Sequence, residues 1–93
     1  MRVYKNTEGL QLIFEGSVSL TDATVLRVYY RKPSGSTGYW TATVEGGTNL
    51  AYTLQSGDLN EAGEWVLQPY VELGTWKGYA EAHPFTVYEP FDY

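Results

Sequence analysis

The 93-residue chain predicts an all-β sandwich of about seven antiparallel strands. Three observations carry the prediction. Apolar and polar residues alternate with period two in one run after another, and turn residues recur about every 8 to 12 positions. No window has helical periodicity. Cysteine is absent, so the two sheets are held by packing alone, with neither a disulfide nor a thiolate metal site.

The first run sets Leu10, Leu12 and Phe14 against Gln11, Ile13 and Glu15, and Gly16 ends it. In the second, Leu26, Val28 and Tyr30 alternate with Arg27, Tyr29 and Arg31. Pro33-Ser34-Gly35-Ser36-Thr37-Gly38 is a loop by composition. Trp40, Ala42 and Val44 form the inward set of the next strand. Gly46-Gly47 supplies the positive φ angles of a tight hairpin, after which Leu50, Tyr52 and Leu54 continue in phase. The polar stretch Gly57-Asp58-Leu59-Asn60-Glu61-Ala62-Gly63 is expected to make one helical or 3₁₀ turn. The longest strand follows, with Trp65, Leu67, Val71 and Leu73 on one face and Glu64, Val66, Gln68, Tyr70 and Glu72 on the other. Pro69 has no N–H to donate, which predicts a bulge or a missing neighbour beside it.

Leu73-Gly74-Thr75-Trp76-Lys77-Gly78 reads as a hairpin loop. In the last strand Phe85 and Val87 face the core, yet the same phase carried backward would bury Glu81 and His83. A β-bulge at His83-Pro84 shifts the register by one and turns Ala80 and Ala82 inward instead. Residues 1–89 then form a single domain and residues 90–93 a short C-terminal tail.

A chain this short is one domain with a thin margin, since burial is nearly cancelled by chain entropy. Nine Tyr, three Trp and three Phe supply the large buried areas that offset it. The net charge of −5 and a pI near 4.6 disfavour nucleic acid and anionic membrane surfaces, both of which repel an acidic protein. No apolar run approaches the ~20 residues that span a bilayer. Met1-Arg2-Val3-Tyr4-Lys5-Asn6 has no apolar core of a signal peptide. The expected location is the cytoplasm of the producing cell, or a larger particle assembled there.

So many short strands without helices read first as an immunoglobulin-like β-sandwich, with an OB-type barrel second. Glu61-Ala62-Gly63-Glu64-Trp65-Val66-Leu67 resembles the immunoglobulin E–F corner, Asp-x-Gly-x-Tyr-x-Cys. Trp65 takes the place of the tyrosine and Leu67 that of the cysteine; an indole N–H replaces the phenol, and no disulfide can form. A wider resemblance runs from about Leu10 to Glu89. Leu20-Thr21-Asp22-Ala23-Thr24-Val25, Arg31-Lys32-Pro33-Ser34-Gly35, Gly57-Asp58-Leu59 and Ala62-Gly63-Glu64-Trp65 occur in this order. Leu67-Gln68-Pro69-Tyr70-Val71 and Phe85-Thr86-Val87-Tyr88-Glu89 complete the series. Together they resemble the small immunoglobulin-like domains of tailed-phage and prophage tail proteins, such as the amino-terminal domain of baseplate upper proteins. The resemblance implies a virion structural module that attaches to a neighbouring subunit; it brings no catalytic, metal or cofactor residue with it.

Catalysis has no motif to stand on. His83 is the single histidine, and with Glu81 two positions away it reads as an exposed pair beside a bulge. Asp22, Asp58 and Asp92 are scattered without calcium-loop spacing. The expected cofactor is none. The candidate interaction face is Arg27, Tyr29 and Arg31 beside Val66 and Tyr70, with Gln68 and Glu72 completing it. Tyr and Arg are enriched at binding hot spots, although cross-strand Tyr and Arg–Glu pairs also decorate ordinary sheets. Trp76, in the loop that corresponds to an antibody's third variable loop, is either a binding residue or a lid over the end of the sandwich. Trp40 and Trp65 read as core. The expected partner is a protein, a virion subunit or a second copy. The alternative is a carbohydrate- or cell-surface-binding module using Trp76, Tyr39 and Tyr79, and a third reading has an unpaired edge strand completed by another chain.

Overall fold

The alternating runs fold as strands. The computed structural model describes residues 3–16 and 19–91, and these contain turns and strands but no helix. The strands are β1 (Val3–Tyr4), β2 (Gln11–Phe14), β3 (Ala23–Arg31), β4 (Thr37–Thr41) and β5 (Thr43–Glu45). They continue with β6 (Asn49–Thr53), β7 (Gly63–Leu73), β8 (Trp76–Tyr79) and β9 (His83–Tyr88). One sheet has the order β1-β9-β7-β3-β4, with β8 also on β7; the other is β2-β6-β5. All pairings are antiparallel except the parallel contact of β1 with β9. The ladders stay within separate sheets, so this is a layered arrangement and not a closed barrel.

Between the layers lies one core. Val28, Trp65, Leu67 and Val87 from the larger sheet pack with Leu50 and Leu54, which β6 and the turn after it provide. Aromatic rings bridge the layers: Trp40 of β4 stacks on Tyr52 of β6 at 4.9 Å between centroids and 6° between planes. Trp65 is fully buried, and its indole N–H donates to the Glu61 carbonyl at 3.0 Å. That bond ties the start of β7 to the turn before it. Beside this turn, Gly63 has φ +129°, and a Cβ there would meet Pro33 at 2.8 Å, so the loop 33–36 closes directly over the corner.

Nine strands appear among the described residues where about seven are expected, for three local reasons. The first is β1, whose two residues pair only with Val87 and Tyr88, too short a run to register as alternation. The second concerns Trp40, Ala42 and Val44, expected on one strand. The chain changes sheets at Ala42, whose N–H donates to Leu26 O at 2.9 Å, so β4 and β5 belong to different layers. The third is a break in the return strand opposite β7. Tyr70 lies opposite Tyr79, whereas Leu67 lies opposite His83. Residues 68–69 therefore face residues 80–82, a one-residue bulge.

This is the expected register shift, placed before His83-Pro84 instead of at it. Pro84 stays in the ladder opposite Val66, which its missing N–H permits because β1 reaches only Val87 and Tyr88 and leaves the other side of β9 open at this point. The extra residue falls instead beside Pro69, which has no N–H to offer but accepts from Ala80 N at 2.9 Å. Residues 76, 78 and 80 then share a face with 83, 85 and 87. Ala80 and Ala82 are both exposed, contrary to expectation; His83 is exposed, as expected, on the core side of the strand at the rim, its ring 5.5 Å from that of Phe14.

The polar stretch before β7 also differs from expectation. Asp58 N donates to Gln55 O at 3.1 Å, but Gly57 has φ +84°, which no right-handed helical turn accommodates. The segment is a turn that buries Leu59 completely. Its Asp58 Oδ2 accepts from Gln55 N at 2.7 Å and from the Tyr52 hydroxyl at 2.5 Å. At the C-terminus Phe91 is 89% exposed; Asp92 and Tyr93 of the expected tail lie outside the described residues.

Candidate functional site

Period-two alternation sends every second residue of β3 and β7 away from the core, and the register decides which of them meet. Arg27 lies opposite Thr41 and Tyr70, and Tyr29 opposite Tyr39 and Gln68. Tyr70 in turn lies opposite Tyr79 of β8. Tyr29 is the hub: its ring centroid is 5.5 Å from Tyr39, 5.6 Å from Tyr70 and 5.5 Å from Tyr79. Tyr70 and Tyr79 are 4.9 Å apart. The Arg27 guanidinium lies 4.2 Å above the Tyr39 ring and donates to the Tyr29 hydroxyl at 3.1 Å. That hydrogen bond raises the Arg27 pKa above its ordinary value, with partial desolvation opposing it. Tyr70 donates to Glu72 Oε2 at 2.8 Å, and this bond, ahead of desolvation, raises its phenol pKa.

The cluster is ordered and still accessible, with Tyr39 and Tyr79 48% and 56% exposed. Rings held against one another by cross-strand packing have little rotamer freedom left to lose on binding a partner.

Of the residues expected on this face, Arg27, Tyr29 and Tyr70 come together. Arg31 and Val66 are directly opposite each other but sit toward the far end of the strands, and Arg31 is exposed. Trp76 does not belong here. The sequence predicts a loop over residues 73–78, but Gly74 and Thr75 alone make the turn. Gly74 has φ +62°, and Trp76 begins β8 opposite Leu73. Trp76 therefore shares the inner face of Leu73. In the sequence Tyr39 and Tyr79 stand out only as sugar-stacking candidates, although Tyr39 alternates with the buried Trp40 and so faces outward.

On that inner face Trp76 borders a cleft between the two sheets. One part, of about 530 Å³, is lined by Phe14, Leu50, Val71, Leu73, Trp76 and His83 among others. A second, of about 360 Å³, adjoins it and is lined by Leu12, Leu67 and Phe85 as well as by Phe14 and His83. Glu15 and Glu81 stand at the rim of the first part. Both are exposed.

Among the described residues no group of three or more His, Cys, Asp or Glu side chains is placed to hold a metal ion. No helix among them is long and apolar enough to cross a membrane. Comparison with protein families, with characterised proteins and with solved structures finds no match to this chain.

Proposed function

We propose that the chain is a non-catalytic, immunoglobulin-like module that joins protein subunits through its outward tyrosine face. The carrying observation is the packed set of Tyr29, Tyr39, Tyr70 and Tyr79 with Arg27 laid over one ring. Rigid Tyr and Arg side chains are the common anchors of protein interfaces. The immunoglobulin reading is supported by sheet order. With β2, β3, β4, β5, β6, β7 and β9 taken as B, C, C′, D, E, F and G, the sheets read B-E-D and G-F-C-C′, the variable-type arrangement. The Trp65 indole bonded to the Glu61 carbonyl supports it too, as an equivalent of the corner tyrosine. The ordered motifs from Leu10 to Glu89 extend the proposal to a tail or baseplate component of a phage or prophage, made in the host cytoplasm and carried on the virion.

A glycan platform fits this face less well. The four rings meet at interplanar angles from 48° to 88°, so they do not form the shared plane on which a sugar ring stacks. Trp76, the third aromatic of that alternative, lies on the other face.

Sedimentation equilibrium of the chain, alone and mixed with the tail and capsid proteins encoded by neighbouring genes, tests the proposal. The Tyr39→Ser/Tyr79→Ser variant stays folded with a modestly lower unfolding midpoint, because both side chains are about half exposed, and loses about tenfold or more in association. Association that is unchanged in the variant removes the tyrosine face from the proposal. Specific binding on a glycan array without protein association replaces it with the carbohydrate reading.

A further inference from the structure

We propose a second binding site, independent of the tyrosine face: the cleft between β2 and the β8–β9 return accepts an extended strand from another protein. Four observations converge on it.

The first is an open ladder. Among the described residues β2 pairs with β6 alone, and no strand lies along its other edge. Leu54 N donates to Leu10 O at 2.9 Å, which fixes the alternation. The backbones of Leu10, Leu12 and Phe14 turn toward β6, and the amides of Gln11 and Ile13 turn toward the open edge.

The second is the absence of protection along that edge. Exposed strand edges are usually blunted by charge, proline or a bulge. Gln11-Leu12-Ile13-Phe14 has none of these, and Ile13 is 48% exposed. The facing return strand has two of them, Pro84 and the bulge at residues 80–82. It flanks the cleft without competing for the added strand.

The third is room of the right polarity. The adjoining cavities of about 530 and 360 Å³ share Phe14 and His83 and have mainly apolar walls. Either one exceeds the ~150 Å³ that holds a benzene ring. A strand on the open edge of β2 directs every second side chain into this space and the others to solvent. Main-chain bonds then supply affinity, and the pockets choose the side chains.

The fourth is charge. Glu15 and Glu81 stand at the rim of a chain whose net charge is −5. The occupant is therefore a segment of alternating aliphatic residues with a Lys or Arg at the rim end.

The test uses the isotope-labelled full chain and three synthetic peptides of alternating Val and Thr: one ending in two Lys, one in two Glu, and one with a central Pro. The Lys-ended peptide slows amide exchange at Gln11 and Ile13 and shifts the Phe14 and Trp76 signals; the Pro-interrupted peptide does neither. Ile13→Pro removes one amide from the open edge and weakens binding by about tenfold or more. Glu15→Lys/Glu81→Lys, which touches no backbone, reverses the preference to the Glu-ended peptide and keeps the test sound should the proline variant fold poorly. Tyr39→Ser/Tyr79→Ser leaves peptide binding unchanged, separating this site from the tyrosine face. The proposal is overturned if no peptide protects β2, or if the Pro-interrupted peptide binds equally well. Protection of Gln11 and Ile13 that grows with concentration in the chain alone overturns it too, since the occupant is then a second copy.

Discussion

Tyr52 places a phenol between an indole and a carboxylate. Its ring stacks on Trp40, and its hydroxyl donates to Asp58 at 2.5 Å. Desolvation first, and the Asp58 bond second, raise its pKa far above the ordinary tyrosine value. An unfolded chain releases a tyrosine proton near pH ~10, whereas folded Tyr52 keeps its proton beyond that point. The folded state then binds more protons, so its stability falls as pH rises. The contribution is complete below the unfolded value and is lost as pH climbs from ~10 through the folded value. Urea midpoints measured across this range fall steeply for the native chain and less steeply for Tyr52→Phe, which at neutral pH is weaker by about 1 kcal/mol for the lost bond. Parallel slopes would show that Tyr52 has no part in the alkaline loss.

The same residue scale explains what was legible of the candidate site. Arg27, Tyr29 and Tyr70 followed from alternation alone, because their neighbours Val28, Tyr30 and Val71 belong to the core. Trp76 did not, because Gly78 reads as a loop residue in sequence. In the fold Gly78 lies in a strand opposite Val71, where a Cβ would stand 3.7 Å from the Trp76 indole. That is ordinary contact, so the position is a plain strand site that its residue type does not reveal.

At the scale of elements, the β8–β9 return shows what a phase conflict in sequence means. The apolar positions before and after residues 80–82 are out of step by one, and the bulge opposite Pro69 absorbs the difference. Sequence could find the conflict but not its place, because Pro69 and Pro84 were both candidates. Only the fold shows that β1 stops short of Pro84, so that this part of β9 has one neighbour and needs no bulge. The sheet change at Ala42 was hidden for a related reason: Trp40, Ala42 and Val44 alternate without interruption whether or not the chain changes layer. Removing the extra residue tests the bulge. Deleting Ala82 leaves residues 76, 78 and 80 and residues 83, 85 and 87 in strict alternation, and Pro69 has no N–H to restore to the ladder. The deletion should change stability by less than about 1 kcal/mol in urea titration, within the range of ordinary surface changes. Deleting Thr86 from the paired part of β9 turns the buried Val87 outward and costs about 1.5–3 kcal/mol or more. Equal losses from the two deletions would mean that the bulge holds the fold in some way beyond correcting phase.

Over the whole molecule, two sheets share one core without a covalent link, and ion pairing adds little. The Lys5–Glu89 contact at 3.1 Å is the one ion pair among the described residues, and both partners are partly exposed; such pairs contribute about 0–1 kcal/mol. The layers are joined instead by rings. Trp40 touches Tyr52 across the gap, Tyr30 at 4.9 Å and Trp65 at 6.3 Å. Trp40→Leu keeps the site apolar but removes this bridge, at a cost of about 2–4 kcal/mol. A domain of this size has about 5–14 kcal/mol in total, so the variant remains folded with a much lower denaturation midpoint. Because Leu50 and Leu54 have no core of their own apart from Trp65, Leu67 and Val28, neither sheet can persist after the other opens. Tryptophan fluorescence and far-ultraviolet circular dichroism should therefore report one coincident transition in the variant, as in the native chain. Two separated transitions would mean that the sheets are stable apart, and that the ring bridge joins two folding units in place of completing one.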